Sequence, residues 1–290
     1  MIDILDYLSY PFIQRMLIAG ILASLACGII GSIVVVRRNV FIAGGVAHTS
    51  FGGIGFAYYL QHLGLFWVDP LMGAVVFAVG SAMFMGSEPI RRRYREDSVI
   101  GVVWVVGMAA GVLFINLVDP SKVKVLSFES ILFGNILLTS SSDLIVMGIV
   151  ILLIYSFIIP FFKDVELLAF DEEFARISGI RVTLMNLVLL VLVALTVTIL
   201  IKVVGVVLIL AMLTIPAAIS NLFTRKLSTM MLSATVVAIV LTTVGNLLSI
   251  ELDTPPGATI VILMGAAFLI SLLGKWIYIK ASSHRLDRVR

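Results

Sequence analysis

Residues 11–36 read PFIQRMLIAGILASLACGIIGSIVVV and are followed at once by Arg37 and Arg38. A membrane helix needs ~20 mostly apolar residues to cross ~30 Å of hydrocarbon, and this run, whose one charge is Arg15, is longer than that. It does not read as a cleaved leader. Met1 to Tyr10 carries two aspartates and no lysine or arginine, so the basic segment that opens a secretory signal is missing, and the run exceeds a signal's apolar stretch.

Outward from this segment the same pattern repeats. Runs of similar character lie near 40–61, 68–86, 99–118, 143–163, 183–203, 205–223, 228–249 and 258–279, giving about nine spans. The seventh is the least regular, with Pro216 in its middle and only Gly205 dividing it from the sixth. Ile131 to Leu138, eight residues between polar neighbours, is too short to cross and predicts a short surface or re-entrant helix. The whole chain of 290 residues is 61% hydrophobic and 13% charged, with a mean hydropathy of +1.17. Soluble domains are far less apolar and carry about twice the charge, so lipid must cover what no globular core could hide. The expected fold is therefore an all-α integral membrane protein, a single transmembrane domain over residues 1–290.

Charge placement predicts the orientation. With the N-terminus outside, Arg37, Arg38, Arg91, Arg92, Arg93, Arg95, Lys163, Arg176, Arg181, Arg225, Lys226, Lys275, Lys280, Arg285, Arg288 and Arg290 all fall on the inner side. Only Arg15, Lys122, Lys124 and Lys202 fall toward the outside. That asymmetry obeys the positive-inside rule through an odd number of spans and places the C-terminus in the cytoplasm. Basic residues in short clusters between apolar runs do not make a nucleic-acid surface. The one cysteine, Cys27, excludes an internal disulfide and a cysteine metal cluster, and suits a small buried apolar position. No phosphate-binding loop, zinc-protease motif, Cys-x-x-Cys or nucleophile elbow is present, so energy from ATP must come through another chain.

Two constellations carry chemistry. His48 is the ionisable residue set deep in a span, roughly 12 Å in from the start of the second run at ~1.5 Å per residue. Its helical neighbours are Gly44, Gly45, Gly52 and Gly55, a face that either packs closely on another helix or leaves backbone bare along a path. Two readings stand for the histidine: a buried imidazole bonded to a nearby carbonyl, or a ligand for zinc-like metals on a substrate route. The second constellation is Phe170 to Val182, FDEEFARISGIRV, on the inner side. Asp171 suits an N-cap, Glu172 and Glu173 suit the first turn, and Gly179 suits the stop, which predicts a helix of about two turns. Phe174 and Ile177 would give it a small apolar face. It is either an interfacial loop helix or a docking element for a partner. Pro216, with Thr214 and Ser220 near it, marks a kinked or broken span that either lines a pathway or only packs. The outer turn from Glu251 to Gly257 is a solvated loop or a contact for a basic soluble partner.

At these residues the chain resembles the permease subunits of ATP-binding-cassette importers for zinc, manganese and related metals, the ABC-3 family. The likeness runs through RRNVFIAGGVAHTSFGGIG from Arg37, EDSVIG from Glu96, LFGNIL from Leu132, FDEEFARISGIRV, VVGVVLILAMLTIPAA from Val203 and LDTPPGATIVIL from Leu252. The resemblance implies a homodimer in the cell membrane, bound to two cytoplasmic ATPase subunits and fed by an extracytoplasmic metal-binding protein. It also implies that ATP is bound by the partner, that this chain carries no cofactor, and that it is not an enzyme. It makes the segment with Asp171, Glu172, Glu173, Phe174, Ala175 and Gly179 the coupling helix, and His48 a metal-contacting residue. Many members carry an aspartate four residues before that histidine, where this chain has Gly44. A metal would then be held by backbone carbonyls, water or the second protomer's histidine. An ATP-independent transporter or channel, and the same scaffold carrying a metal chelate, are the competing expectations; the former usually needs several intramembrane acids.

Overall fold

The computed structural model describes residues 10–125, 134, 136 and 139–287, with the side chains of 91, 92 and 281–287 left aside. The helix expected over Ile131–Leu138 lies outside the described residues, apart from Gly134 and Ile136. Twelve helices occur among the described residues. They are α1 (Pro11–Val36), α2 (Val40–His62), α3 (Pro70–Gly86), α4 (Glu88–Arg93), α5 (Glu96–Asn116), α6 (Ser141–Ile158), α7 (Phe162–Phe170), α8 (Glu172–Ile177), α9 (Val182–Val204), α10 (Val206–Phe223), α11 (Leu227–Glu251) and α12 (Pro256–Asp287). Eight of these are long and apolar enough to span, and α3, an apolar helix of 17 residues, sits at the lower limit of length. The protein is an all-helical, multi-pass membrane protein of about nine spans, as the hydropathy pattern predicts.

Local chemistry sets the boundaries. Proline opens α1 and α3, where the missing N–H costs nothing, and the Asp69 carboxylate accepts from Leu71 N–H at 2.7 Å to cap α3. Ser140 and Asp143 form a reciprocal capping box at the head of α6. Gly205 has φ of 84°, a left-handed conformation that a side chain disfavours, and there the long apolar run divides into α9 and α10. Of the kink or break expected at Pro216, the break does not occur: α10 is one helix from Val206 to Phe223 with the proline inside it. The fifth span is shorter than its apolar run, ending at Ile158 before a turn leads into α7.

Two groups of helices make the body. In one, α2 packs against α3 and α5, with α9 against α3; in the other, α1 packs with α10 and α11, and α12 closes on α10 and α11. Helix α9 touches both groups. Glycine lets the backbones meet. A Cβ on Gly52 would lie 2.6 Å from the Gly107 carbonyl oxygen, and one on Gly55 would lie 2.5 Å from that of Gly111. Such small-residue contacts drive helix association where lipid is as apolar as the side chains. The glycine face of α2 is therefore a packing face against α5. Several hydroxyls within the spans bond back to their own helix, as in Ser24 to the Gly20 carbonyl and Thr49 to the Gly45 carbonyl, which satisfies them without water.

Helix ends that carry arginine gather together. The Arg37 guanidinium donates to the Asn186 Oδ1 at 2.6 Å, tying the α1–α2 turn to the start of α9. Lys275 of α12 donates to the Leu222 carbonyl at the same end of the body. At the opposite end Lys202 pairs with Asp143 at 2.8 Å and joins α9 to α6.

Candidate functional site

His48 lies two turns into α2, half-buried, with its ring over the indole of Trp104 from α5. The ring centroids are 4.5 Å apart and the planes differ by 19°, a stacked arrangement. Neither imidazole nitrogen has a hydrogen-bond partner among the described residues. Stacking uses the ring face and leaves both nitrogens, which lie in the ring plane, available along its edge. The carbonyl-bonded account of this histidine therefore has no counterpart in the geometry.

The indole also explains Gly44. A Cβ built there would lie 2.6 Å from Trp104 Cζ3, so the ring fills the space one turn before His48. Among the described residues no group of three or more His, Cys, Asp or Glu side chains is gathered to hold a metal ion. His48 stands as a single imidazole on an aromatic platform.

The segment after α7 folds as the polar run FDEEFARISGI suggests. The Asp171 carboxylate accepts from Phe174 N–H at 2.9 Å and caps α8, with Glu172 and Glu173 in the first turn. Gly179 has φ of 87°, its N–H donates to the Arg176 carbonyl, and Ile180 N–H donates to that of Ala175, a Schellman stop. Arg176 faces Glu172 across 3.8 Å on an exposed surface, a pair of small energetic weight. Phe174 and Ile177 project outward, 54% and 78% exposed, whereas Ala175 is wholly buried against the body. Phe174 thus stands on the free face, and Ala175 is the small residue that seats the helix.

Beneath α8 lies a pocket of about 200 Å³ lined by Gly86, Glu88, Glu96, Glu172, Arg176, Thr183 and Asn186. The same Asn186 accepts from Arg37, and Glu96 opens α5, the helix that carries Trp104. Helix α5 is thus a rod from the α8 pocket to the His48 stack.

The family model for the ABC 3 transport family matches residues 9–275. The chain belongs to the ABC 3 transport family. Among its relatives, a probable metal transport system membrane protein of Chlamydia trachomatis is 37% identical over 96% of this chain and 94% of its own length. The manganese transport system membrane protein MntC of Halalkalibacterium halodurans is 31% identical, with 91% and 87% covered. Of solved structures, PsaBC from Streptococcus pneumoniae in complex with Fab superposes with a TM-score of 0.80 at 27% identity, over 92% of this chain and 93% of that one.

Within this ABC 3 permease, one residue of the site has no signature in the sequence. Trp104 is a lone aromatic in VVWVVG, a stretch whose only pattern is apolar. The available hint was complementary bulk, since a glycine face must be filled by something large or by backbone.

Proposed function

We propose that this chain is the membrane permease of an ATP-driven importer for a divalent transition metal ion, which passes His48 on its way through the bilayer. The observation that carries the reading is His48 itself: an imidazole at bilayer depth, half-buried, with both ring nitrogens unpartnered among the described residues. An ionisable side chain set so deep is costly unless it faces a partner or a route, and imidazole is a ligand that zinc and its neighbours accept.

The rest of the machine follows from this. The chain acts as a homodimer in the cell membrane, N-terminus outside and C-terminus cytoplasmic, with arginine-rich helix ends facing the cytoplasm. A cytoplasmic ATPase subunit binds ATP and seats Phe174 and Ile177 of α8, and an extracytoplasmic binding protein delivers the metal. The permease holds no cofactor and catalyses no reaction. A displacement of α8 bears on the pocket beneath it, hence on Glu96 at the head of α5 and on the Asn186–Arg37 tie at the head of α2. Moving α5 relative to α2 alters the Trp104–His48 stack, and a ligand held differently in the two arrangements biases the equilibrium between them. The test is vesicle reconstitution of the permease with its ATPase and binding protein: metal accumulates only when ATP is hydrolysed and all three components are present. Metal equilibration without the ATPase would overturn the reading in favour of a channel.

A further inference from the structure

We propose that the groove between the end of α6, α7 and the first turns of α9 is a phospholipid site, selective for a zwitterionic headgroup with a primary ammonium, as in phosphatidylethanolamine. It concerns the chain's attachment to the bilayer and stands whether or not the chain moves metal.

The groove is a cavity of about 440 Å³ whose lining changes character with depth. Its mouth is made by Asp164 of α7 and by the connection from α8 into α9, which ends at Arg181. Its walls are Leu184 and Val188 along α9, with Phe157 and Phe161 at the end of α6, their ring centroids 5.1 Å apart. Arg181 is the N-cap of α9 and Val188 lies seven residues on, so the apolar wall reaches about 10 Å from the mouth at ~1.5 Å per residue. Both α6 and α9 are spans, and little of α6 is covered by the rest of the body. The apolar end of the groove therefore lies in hydrocarbon and the charged end at the membrane face. A soluble partner reaches the mouth and not the depth. An amphiphile with its head at the mouth and a chain along α9 fits both.

Charge at the mouth selects the headgroup. Among the described residues neither the Asp164 carboxylate nor the Arg181 guanidinium has an ion pair or hydrogen bond, with the other or with a third group. Nor does the Arg181 side chain cap its own helix. A guanidinium takes a phosphate through parallel N–H donors. A primary ammonium offers a carboxylate three donors, whereas a quaternary ammonium offers none. Anionic headgroups are drawn to clusters of lysine and arginine. Here one acid stands beside one base, so an anionic head would set like charge against Asp164. A lipid held by both groups ties α7 to the α8–α9 connection and steadies α8 on the body.

The test uses delipidated full-length permease in mixed micelles with phosphatidylethanolamine, phosphatidylcholine or phosphatidylglycerol. Native mass spectrometry counts the retained lipid, and a thermal melt is run beside it. The parent should hold one ethanolamine lipid per protomer, in preference to the other two, with a raised Tm. Arg181→Ala should weaken retention of every lipid by roughly 10- to 100-fold, the worth of a hydrogen bond to a charged group. Asp164→Asn should keep retention but erase the preference for ethanolamine over choline. Arg225→Ala, a change to an exposed arginine outside the groove, should match the parent. Equal retention of the three lipids, a preference for phosphatidylglycerol, or parent behaviour of both groove variants would overturn the proposal. Loss of the retained lipid when the ATPase subunit binds would also overturn it, and would assign the groove to that partner.

Discussion

Truncating Phe174 to alanine isolates the docking step from the rest of the protein. The side chain is 54% exposed, its backbone N–H is held by Asp171, and the seat of α8 on the body is made by the buried Ala175. Alanine is a better helix former than phenylalanine, so α8 itself is not weakened. A phenylalanine presents ~200 Å² for burial, and the exposed share of it is about 110 Å². At ~25 cal/mol per Å² that surface is worth roughly 2.7 kcal/mol when a partner covers it, or about 100-fold in Kd. The assay is titration of the ATPase subunit onto detergent-solubilised permease, beside a thermal melt of the permease alone. The expected outcome is a Kd weakened by about two orders of magnitude with an unshifted melt. An unchanged Kd would refute the assignment of α8 as the docking helix. A lowered Tm with parallel loss of binding would show that Phe174 supports the fold instead.

Ala175→Glu, by contrast, is expected to reduce folded protein before any partner is involved, because it puts a carboxylate into a fully buried seat; yield and monodispersity in detergent measure it. Gly55→Val should pry α2 from α5, since its Cβ would lie 2.5 Å from the Gly111 carbonyl oxygen, and the expected sign is a fall in Tm measured against Gly265→Val, where a Cβ meets open space. Single cysteines at Ser121 and Ser178, both exposed, in a Cys27→Ala background should label from outside and from inside respectively; the reverse pattern would invert the orientation.

How much of this was legible in the sequence follows from the range of the forces involved. Spans are set by transfer of consecutive residues into hydrocarbon, a local sum, and so nine runs and their approximate ends can be read directly. Caps are equally local: Asp171 and Gly179 each sit three residues from the groups they satisfy. The misplaced end of the fifth span has the same root, because Ile159 to Phe161 are as apolar as a span and the turn there carries no glycine and only one proline. What was not legible depended on distant pairing. The indole that covers Gly44 and stacks on His48 comes from another helix, and nothing in the apolar run around Trp104 singles it out. Whether α8 seats Ala175 or offers it depends on how the helix lies on the body, which six residues with no wide apolar stripe do not encode.

The central claim is that a metal ion passes His48 under the drive of ATP. It is tested most directly by uptake of radiolabelled zinc and manganese into vesicles holding the permease, its ATPase and its binding protein, with His48→Ala compared against the parent at equal amounts of assembled complex. The account predicts that the variant assembles and still hydrolyses ATP but accumulates little of either metal. Uptake by His48→Ala at the parent's rate would contradict it and reduce His48 to a packing residue between α2 and α5.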